Sequence, residues 1–373
     1  MRAEKCNNLF LRVFIYNHIS HTIIAILLLT LIFKGIYYKP NSLKAKFCVE
    51  GKKLLYEYLK ERKIPFNKCG KLLVATNDNE VNYLEKIMKR AQANGVNDLS
   101  IIDSYEVSKL EPEVKCSQAI LSPSTGVFDS STYVQNLVAD IENYNGNVIY
   151  NCSVDKIKKN KNLFEILTNQ GTIECDIVIN ASGMHAPLIA SKTDQYPTHL
   201  IPKQFYSKGN YFKIENGQKP NFKRLVYPIP NNGGGLGIHL TIDFQNNVRF
   251  GPDSEWLMPI TSHTDSDLID HQYIFHEPPS MSAFQVSAER STLFYDEIKK
   301  YWPMVSETNL VPDFAGIRPM LCGPSGTTND DFLIETKSQH NIENLINLYG
   351  ITSPGLTSSL AIGNHVKNYL INV

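Results

Sequence analysis

Residues 176–180 read Asp-Ile-Val-Ile-Asn and run straight into Ala181-Ser182-Gly183. A continuous apolar run of this length, ending in a small-residue turn, predicts a strand buried on both faces, as in the parallel sheet of a doubly wound fold. The surrounding order points the same way: a helix over 130–144 closed by Asn145-Gly146, a strand over 148–150, two short strands flanking Asn169-Gln170-Gly171, then this strand. That succession predicts a nucleotide-binding domain of α/β class. Small residues in the turn let the backbone approach a flat ligand, and Gly183 is free to take a positive φ. A packed strand-to-helix turn explains the same residues, so this motif alone does not decide between the two.

A second turn of the same texture lies near the C-terminus, in Tyr349-Gly350-Ile351-Thr352-Ser353-Pro354-Gly355-Leu356-Thr357-Ser358. It reads as a strand end, a Pro-Gly turn and a helix beginning near Leu356. The unpaired N–H groups and positive dipole end of that helix face whatever sits above the turn. A structural cap accounts for the Thr and Ser, but not for tandem small residues beside a second ligand-approach turn.

A chain of 373 residues is long for one core and predicts about two domains. Lys+Arg and Asp+Glu are equal at 37 each, which argues against electrostatic steering toward nucleic acid. With 42% hydrophobic residues wholesale disorder is excluded, and a small-molecule enzyme fits best. The 7 cysteines are odd in number and contain no C-x-x-C pair, so they read as reduced, mostly buried thiols of an intracellular protein, with no metal site. Asn-x-Ser matches at Asn151 and Asn180 abut expected strands, which disfavours glycosylation.

Helices are expected at 43–63, with Pro65 beyond, and at 80–93, with Asn94-Gly95 as the stop; a capping box at Asp103 and Glu106 opens a third. A strand falls at 71–75. From 200 to 316 the texture alternates, with strands at 211–214, 224–227, 237–242 and 247–250 and a hairpin tip at 231–235, which predicts an antiparallel sheet. Helical spacing returns over 282–301.

Residues 13–33 form an apolar stretch broken by Asn17, His18, Ser20 and His21 and preceded by Arg2, Lys5 and Arg12. The pure part, 22–33, is too short to span a bilayer alone. A helical membrane anchor, a targeting peptide and a segment standing in for a lost first exon all remain open. The leader gives way at Gly35 to Ile36-Tyr37-Tyr38-Lys39-Pro40-Asn41-Ser42-Leu43-Lys44-Ala45-Lys46.

From this seam to the C-terminus, on the Gly35 segment and both turn motifs, the chain resembles the FAD-dependent L-2-hydroxyglutarate dehydrogenase/oxidase family, flavoproteins of the D-amino-acid-oxidase class. The resemblance implies a glutathione-reductase-type, Rossmann-like FAD domain, incomplete at its N-terminus, joined to a mixed or antiparallel-sheet substrate domain. The expected division is a leader over 1–34, a substrate domain over 35–121 and 196–316, and an FAD domain over 122–195 and 317–373. It implies FAD contacts at Ala181, Ser182, Gly183, Pro354, Gly355, Leu356, Thr357 and Ser358, with the helix end favouring the reduced, anionic flavin.

Related flavin oxidases place an Arg in a run similar to Gly316-Ile317-Arg318-Pro319 against the substrate carboxylate, which makes Arg318 the expected anchor. A structural ion pair with Asp313, Asp330 or Asp331 is the competing explanation. A Gly-x-His-Leu-Thr strand, here Gly237-Ile238-His239-Leu240-Thr241, makes His239 the candidate base, against the plainer role of a satisfied core histidine. Tyr227 and Lys208 are weaker candidates for a second carboxylate. The implied reaction oxidises a small 2-hydroxy acid, L-2-hydroxyglutarate, to 2-oxoglutarate and passes electrons to an acceptor the sequence does not name, with a mitochondrial location. A related flavin oxidoreductase of amino acids or glycerol 3-phosphate is the nearby alternative.

Two departures weigh against activity. The family has a His two residues before Gly-Ile-Tyr-Tyr, where this chain has Phe33, and no Gly-x-Gly-x-x-Gly occurs anywhere in it. The Gly233-Gly234-Gly235-Leu236-Gly237 cluster reads as a hairpin tip. An inactive, N-terminally truncated family member is therefore the rival expectation.

Overall fold

The structure is a computed structural model that describes residues 31–161, 163–215, 220–229, 237–244, 246–257, 278–324 and 330–372, with the backbone of Val13–Tyr16. Cys6, the hairpin tip at 231–235 and most of the leader lie outside these residues. The six cysteines that are described are free thiols.

A 9-stranded sheet dominates. Its order is Glu255–Leu257, Phe205–Ile214, Val248–Phe250, Leu240–Ile242, Leu225–Pro228, Lys71–Ala75, Gln118–Ser122 and Ser100–Asp103, with Leu310–Met320 also paired to Phe205–Ile214. Within it Leu225–Pro228 and Lys71–Ala75 run parallel, whereas the other pairings are antiparallel. Register carries one apolar row across the sheet: Phe212, Phe250, Leu240, Val226, Leu72 and Leu121 stand successively opposite one another. The first five are fully buried, each contributing about 1.5–3 kcal/mol of hydrophobic stabilisation. Because strand side chains alternate, the residues next to this row all point to the other face.

A smaller sheet pairs Val178–Asn180 in parallel with Leu345–Tyr349, which runs antiparallel to Leu333–Glu335. The meander Val154–Asn160, Leu163–Thr168 and Gly171–Cys175 packs beside it through Ile157, Phe164 and Leu345. The run at 176–180 is not buried on both faces as expected: Ile179 is 45% exposed. Among the described residues Val178–Asn180 has a partner on one side only, so its outer flank is open.

The helix Leu43–Glu61 starts at Ser42, whose hydroxyl accepts the Ala45 N–H, and lies against the terminal helix Gly355–Asn372. Gly51 permits this approach. A Cβ there would stand 2.3 Å from the Thr357 carbonyl oxygen. Helices Asp78–Ala93 and Ser130–Asn143 follow their expected spans, and the Asp103–Glu106 capping box is formed.

Of the readings left open for 13–33, a continuous helix does not hold at either end of the stretch. Val13–Tyr16 is a strand parallel to Asn147–Tyr150, and Leu31–Ile32 is a strand against Gly126–Phe128. Ile32 is fully buried in a cluster with Leu55 and Leu59, so chain upstream of the Gly35 seam belongs to the packed structure. The boundary expected between 316 and 317 falls inside the Leu310–Met320 strand. No helix among the described residues is long and apolar enough to cross a membrane.

Candidate active site

Asn180 builds the first turn. Its amide donates to the Ala186 carbonyl and to Asn347 Oδ1, both at 2.8 Å, while its Oδ1 accepts the Ser182 hydroxyl at 2.6 Å. The side chain is buried, so Asn180 is a structural brace and not a modification site. It folds Ala181, Ser182 and Gly183 over the end of the strand. Gly183 takes φ +58 with nothing within 4 Å of where a Cβ would be. Ala181 and Ser182 are exposed.

Because Val178–Asn180 and Leu345–Tyr349 are parallel neighbours, their C-terminal ends open the same edge of the sheet, where ligands of open α/β sheets bind. The second turn therefore emerges beside the first. The terminal helix begins at Gly355, one residue ahead of expectation. Its first turn is held by Thr357, whose hydroxyl accepts the Phe33 N–H at 3.1 Å and donates to the Leu31 carbonyl at 3.2 Å. Thr352 Oγ1 and Ser358 Oγ are buried with no hydrogen-bond partner among the described residues. Buried hydroxyls are rarely left so, and here two of them flank a helix N-terminus. Open space over Gly183, unmatched hydroxyls and the positive helix end suit the polar edge of a flat, electron-accepting ring such as a flavin. The sequence supplies no glycine-rich pyrophosphate turn beside them.

The large sheet presents the second half of the site. Arg318 stands opposite Ser207. Alternation places Ser207, Tyr211, His239 and Tyr227 on the face turned away from the apolar row, since each is one or an odd number of residues from a member of that row or its pleat. The Arg318 guanidinium donates to the Asp253 carbonyl at 2.9 Å and to Ser207 Oγ at 3.2 Å. Burial lowers its pKa, while Tyr211 and Asp253 act in the opposite sense. None of the carboxylates expected as a structural partner is available: Asp313 pairs with Arg249, Asp330 with Lys44, and Asp331 accepts the N–H groups of Leu43 and Lys44. A half-buried guanidinium without a carboxylate partner among the described residues is fitted to receive one from a ligand.

His239 and Tyr227 lie side by side, their rings stacked 3.6 Å apart at 12°. Burial, then the neighbouring hydroxyls of Tyr37 and Tyr211, raises the Tyr227 pKa far above its usual value, so Tyr227 stays a neutral donor. Lys208 is one residue out of phase with Ser207 and points to the opposite face. Its ammonium donates to the Gln285 carbonyl at 2.6 Å and pairs with Glu255 at 3.5 Å. The structure therefore does not bring Lys208 to Arg318 and His239.

Three residues that pattern reading passed over sit here as well. Tyr38 lies near enough to Ser353 for that residue to offset in part the rise in its pKa that burial causes, which brings the Gly35 segment to the second turn. Tyr37 and Lys71 close the face beyond Tyr227: the Lys71 ammonium lies 4.5 Å from the Tyr227 ring centroid and 4.8 Å from that of Tyr37. The adjacent Tyr37-Tyr38 pair was the available signal; Lys71 gave none beyond its place in a strand. A separate cavity of about 310 Å³, lined by Lys34, Lys52, Lys53 and the 95–98 loop, is not lined by any of these groups.

Comparison with known proteins fits this geometry. Residues 29–368 match the family described as DAO, FAD dependent oxidoreductase. The chain is 36% identical over 365 residues to the mitochondrial L-2-hydroxyglutarate dehydrogenase of Arabidopsis thaliana, covering 90% of this chain and 73% of that one. It is 27% identical over 347 residues to the L-2-hydroxyglutarate dehydrogenase of Escherichia coli, covering 89% and 80%. Among solved structures, FAD-bound L-alpha-glycerophosphate oxidase from Mycoplasma pneumoniae has the same fold, with a TM-score of 0.76 at 22% identity over 96% of this chain and 88% of that one.

Proposed function

The chain belongs to the FAD dependent oxidoreductase family, and from that premise we propose that it oxidises L-2-hydroxyglutarate to 2-oxoglutarate. The observation that carries the reading is Arg318, a guanidinium without a carboxylate partner among the described residues, on the same sheet face as His239. The substrate class follows from the names of the relatives at 36% and 27% identity.

FAD, when bound, supplies the two-electron acceptor. Ala181, Ser182, Gly183 and the 354–358 turn would hold it, the unmatched hydroxyls of Thr352 and Ser358 finding partners there. Arg318 grips the C1 carboxylate with two N–H groups and fixes the orientation of C2. His239 takes the hydroxyl proton as C2 loses its hydride, so the carbonyl forms without a free alkoxide. Tyr227 keeps the imidazole plane in place. Several relatives are named as mitochondrial, and we assign this chain the same compartment.

The test is an absorbance experiment. The purified chain, incubated with FAD and freed of excess cofactor, should retain flavin absorbance that bleaches anaerobically on addition of L-2-hydroxyglutarate. A colourless protein, or one bleached by glycerol 3-phosphate or an amino acid but not by L-2-hydroxyglutarate, overturns the assignment.

A further inference from the structure

Lys71 is a buried ammonium, 3% exposed, with no ion pair to any carboxylate of the described residues. Among the described residues its ammonium donates to the Tyr37 hydroxyl at 3.3 Å. Strand order puts it on one flank of Tyr227 and His239 on the other: Leu240–Ile242, Leu225–Pro228 and Lys71–Ala75 are successive neighbours. Three groups thus form a column across the sheet, with a cation, a phenol ring and an imidazole in sequence. The Tyr227 ring is 4.5 Å from the ammonium and 3.6 Å from the imidazole centroid.

We infer that Lys71 is a positioning residue that governs the proton affinity of His239 through the Tyr227 ring between them. The inference rests on the reading of His239 as the base. A ring clasped between a cation and a neutral imidazole gains from the cation–π contact. The same ring between two cations does not, and their repulsion acts over roughly 8 Å of protein interior. The column therefore holds one positive charge more readily than two. While Lys71 is charged, His239 is kept neutral and ready to accept a proton. When His239 takes the substrate proton, the repulsion favours its prompt release.

The surroundings support a shared charge. Burial, then the nearby Lys34 ammonium, pulls the Lys71 pKa down to about 7, with Cys48 acting in the opposite sense. The Tyr37 and Tyr211 hydroxyls and the Cys69 thiol all disfavour ionisation of Tyr227, and Arg318 favours that of Tyr211. Asp253 acts on Tyr211 from the Arg318 side.

The test is the titration of His239 by NMR in the whole chain labelled at histidine Cε1, its resonance assigned with His239→Asn. Two neutral replacements, Lys71→Met and Lys71→Gln, should each raise the His239 midpoint by on the order of one pH unit, and Lys71→Arg should leave it at or below the wild-type value. The acid limb of kcat/KM should move with it. Tyr227→Phe, which keeps the ring, should preserve the difference. An unchanged His239 midpoint in whichever neutral variant folds overturns the inference. Full activity in His239→Asn, alongside an intact midpoint shift in the Lys71 variants, would instead remove the base role and leave the coupling standing.

Discussion

Asn180 and Asn347 join side chains at 2.8 Å across two strands that the chain reaches 167 residues apart, and this bond adds to the parallel pairing that sets the two turns side by side. Replacing Asn180 by Leu removes it together with the braces to Ala186 and Ser182. A loss of about 1–3 kcal/mol in urea unfolding is expected, because Asn347 is left unsatisfied in a buried site. Replacing both by Leu should recover part of that stability while FAD retention stays poor, since the turn at Ser182 remains unbraced. Equal stability of the single and double variants would show that the pair is not coupled.

Arg318→Lys should keep the fold and raise KM for L-2-hydroxyglutarate. A lysine gives up the planar fork that holds the Asp253 carbonyl and Ser207 while presenting N–H groups to a carboxylate. A fall in kcat/KM on the order of a hundredfold is expected, in line with truncation of a buried charged hydrogen bond. Steady-state kinetics with thermal melts alongside would check it; an unchanged KM removes Arg318 from the substrate.

Much of this architecture is legible in the sequence because its signals are local. Ser42 and Asn77 cap their helices, Asn145 takes the left-handed turn expected of Asn-Gly, and Lys71–Ala75 is a strand to the residue. Other elements are hidden by tertiary effects. Val154–Asn160 reads Val-Asp-Lys-Ile-Lys-Lys-Asn, too polar to look like a strand until it is paired with Leu163–Thr168. The helix expected over 282–301 is regular only at Ser291–Lys299, and the Gln285 carbonyl upstream is taken by Lys208. The same bond carries Lys208 away from the site. Conversely, Lys71 enters the site only through the register of three strands, which no single-strand pattern contains.

Gly51→Ala should destabilise the protein out of proportion to one methyl group. The new Cβ would meet the Thr357 carbonyl at 2.3 Å and the Ser358 Cα at 2.8 Å, and backbone cannot swing aside as a side chain can. Forcing the helices apart should cost about 1–3 kcal/mol. It should also weaken FAD retention, because Thr357 and Ser358 lie in the first turn of the terminal helix. A variant with lowered melting temperature and undiminished FAD affinity would separate the helix contact from the cofactor turn.

Lys71 also leaves a mark on stability that is independent of catalysis. An unfolded lysine titrates near 10.5 and the buried one near 7, so between these values the unfolded chain holds a proton that the folded chain lacks. Stability contributed by this group therefore rises with pH across that interval, and below about pH 7 the folded state carries the whole cost of a buried charge. Lys34, pulled down to about 8 mainly by burial and held up in part by Asp98, acts in the same sense from pH 8 upward. Above about pH 9 the buried Cys48 thiol, pushed up to about 12 mainly by burial, opposes both by staying neutral where an unfolded thiol ionises. Lys71→Met should accordingly be more stable than wild type at pH 6 and 7. Its advantage should shrink toward pH 9 with a slope no steeper than about 1.4 kcal/mol per pH unit. Urea midpoints of the two proteins at pH 6, 7, 8 and 9 measure the difference directly, because contributions common to both cancel. A constant difference would mean that Lys71 is already neutral throughout the range, or charged throughout it, and that the column with Tyr227 and His239 has no charge to exchange near neutral pH.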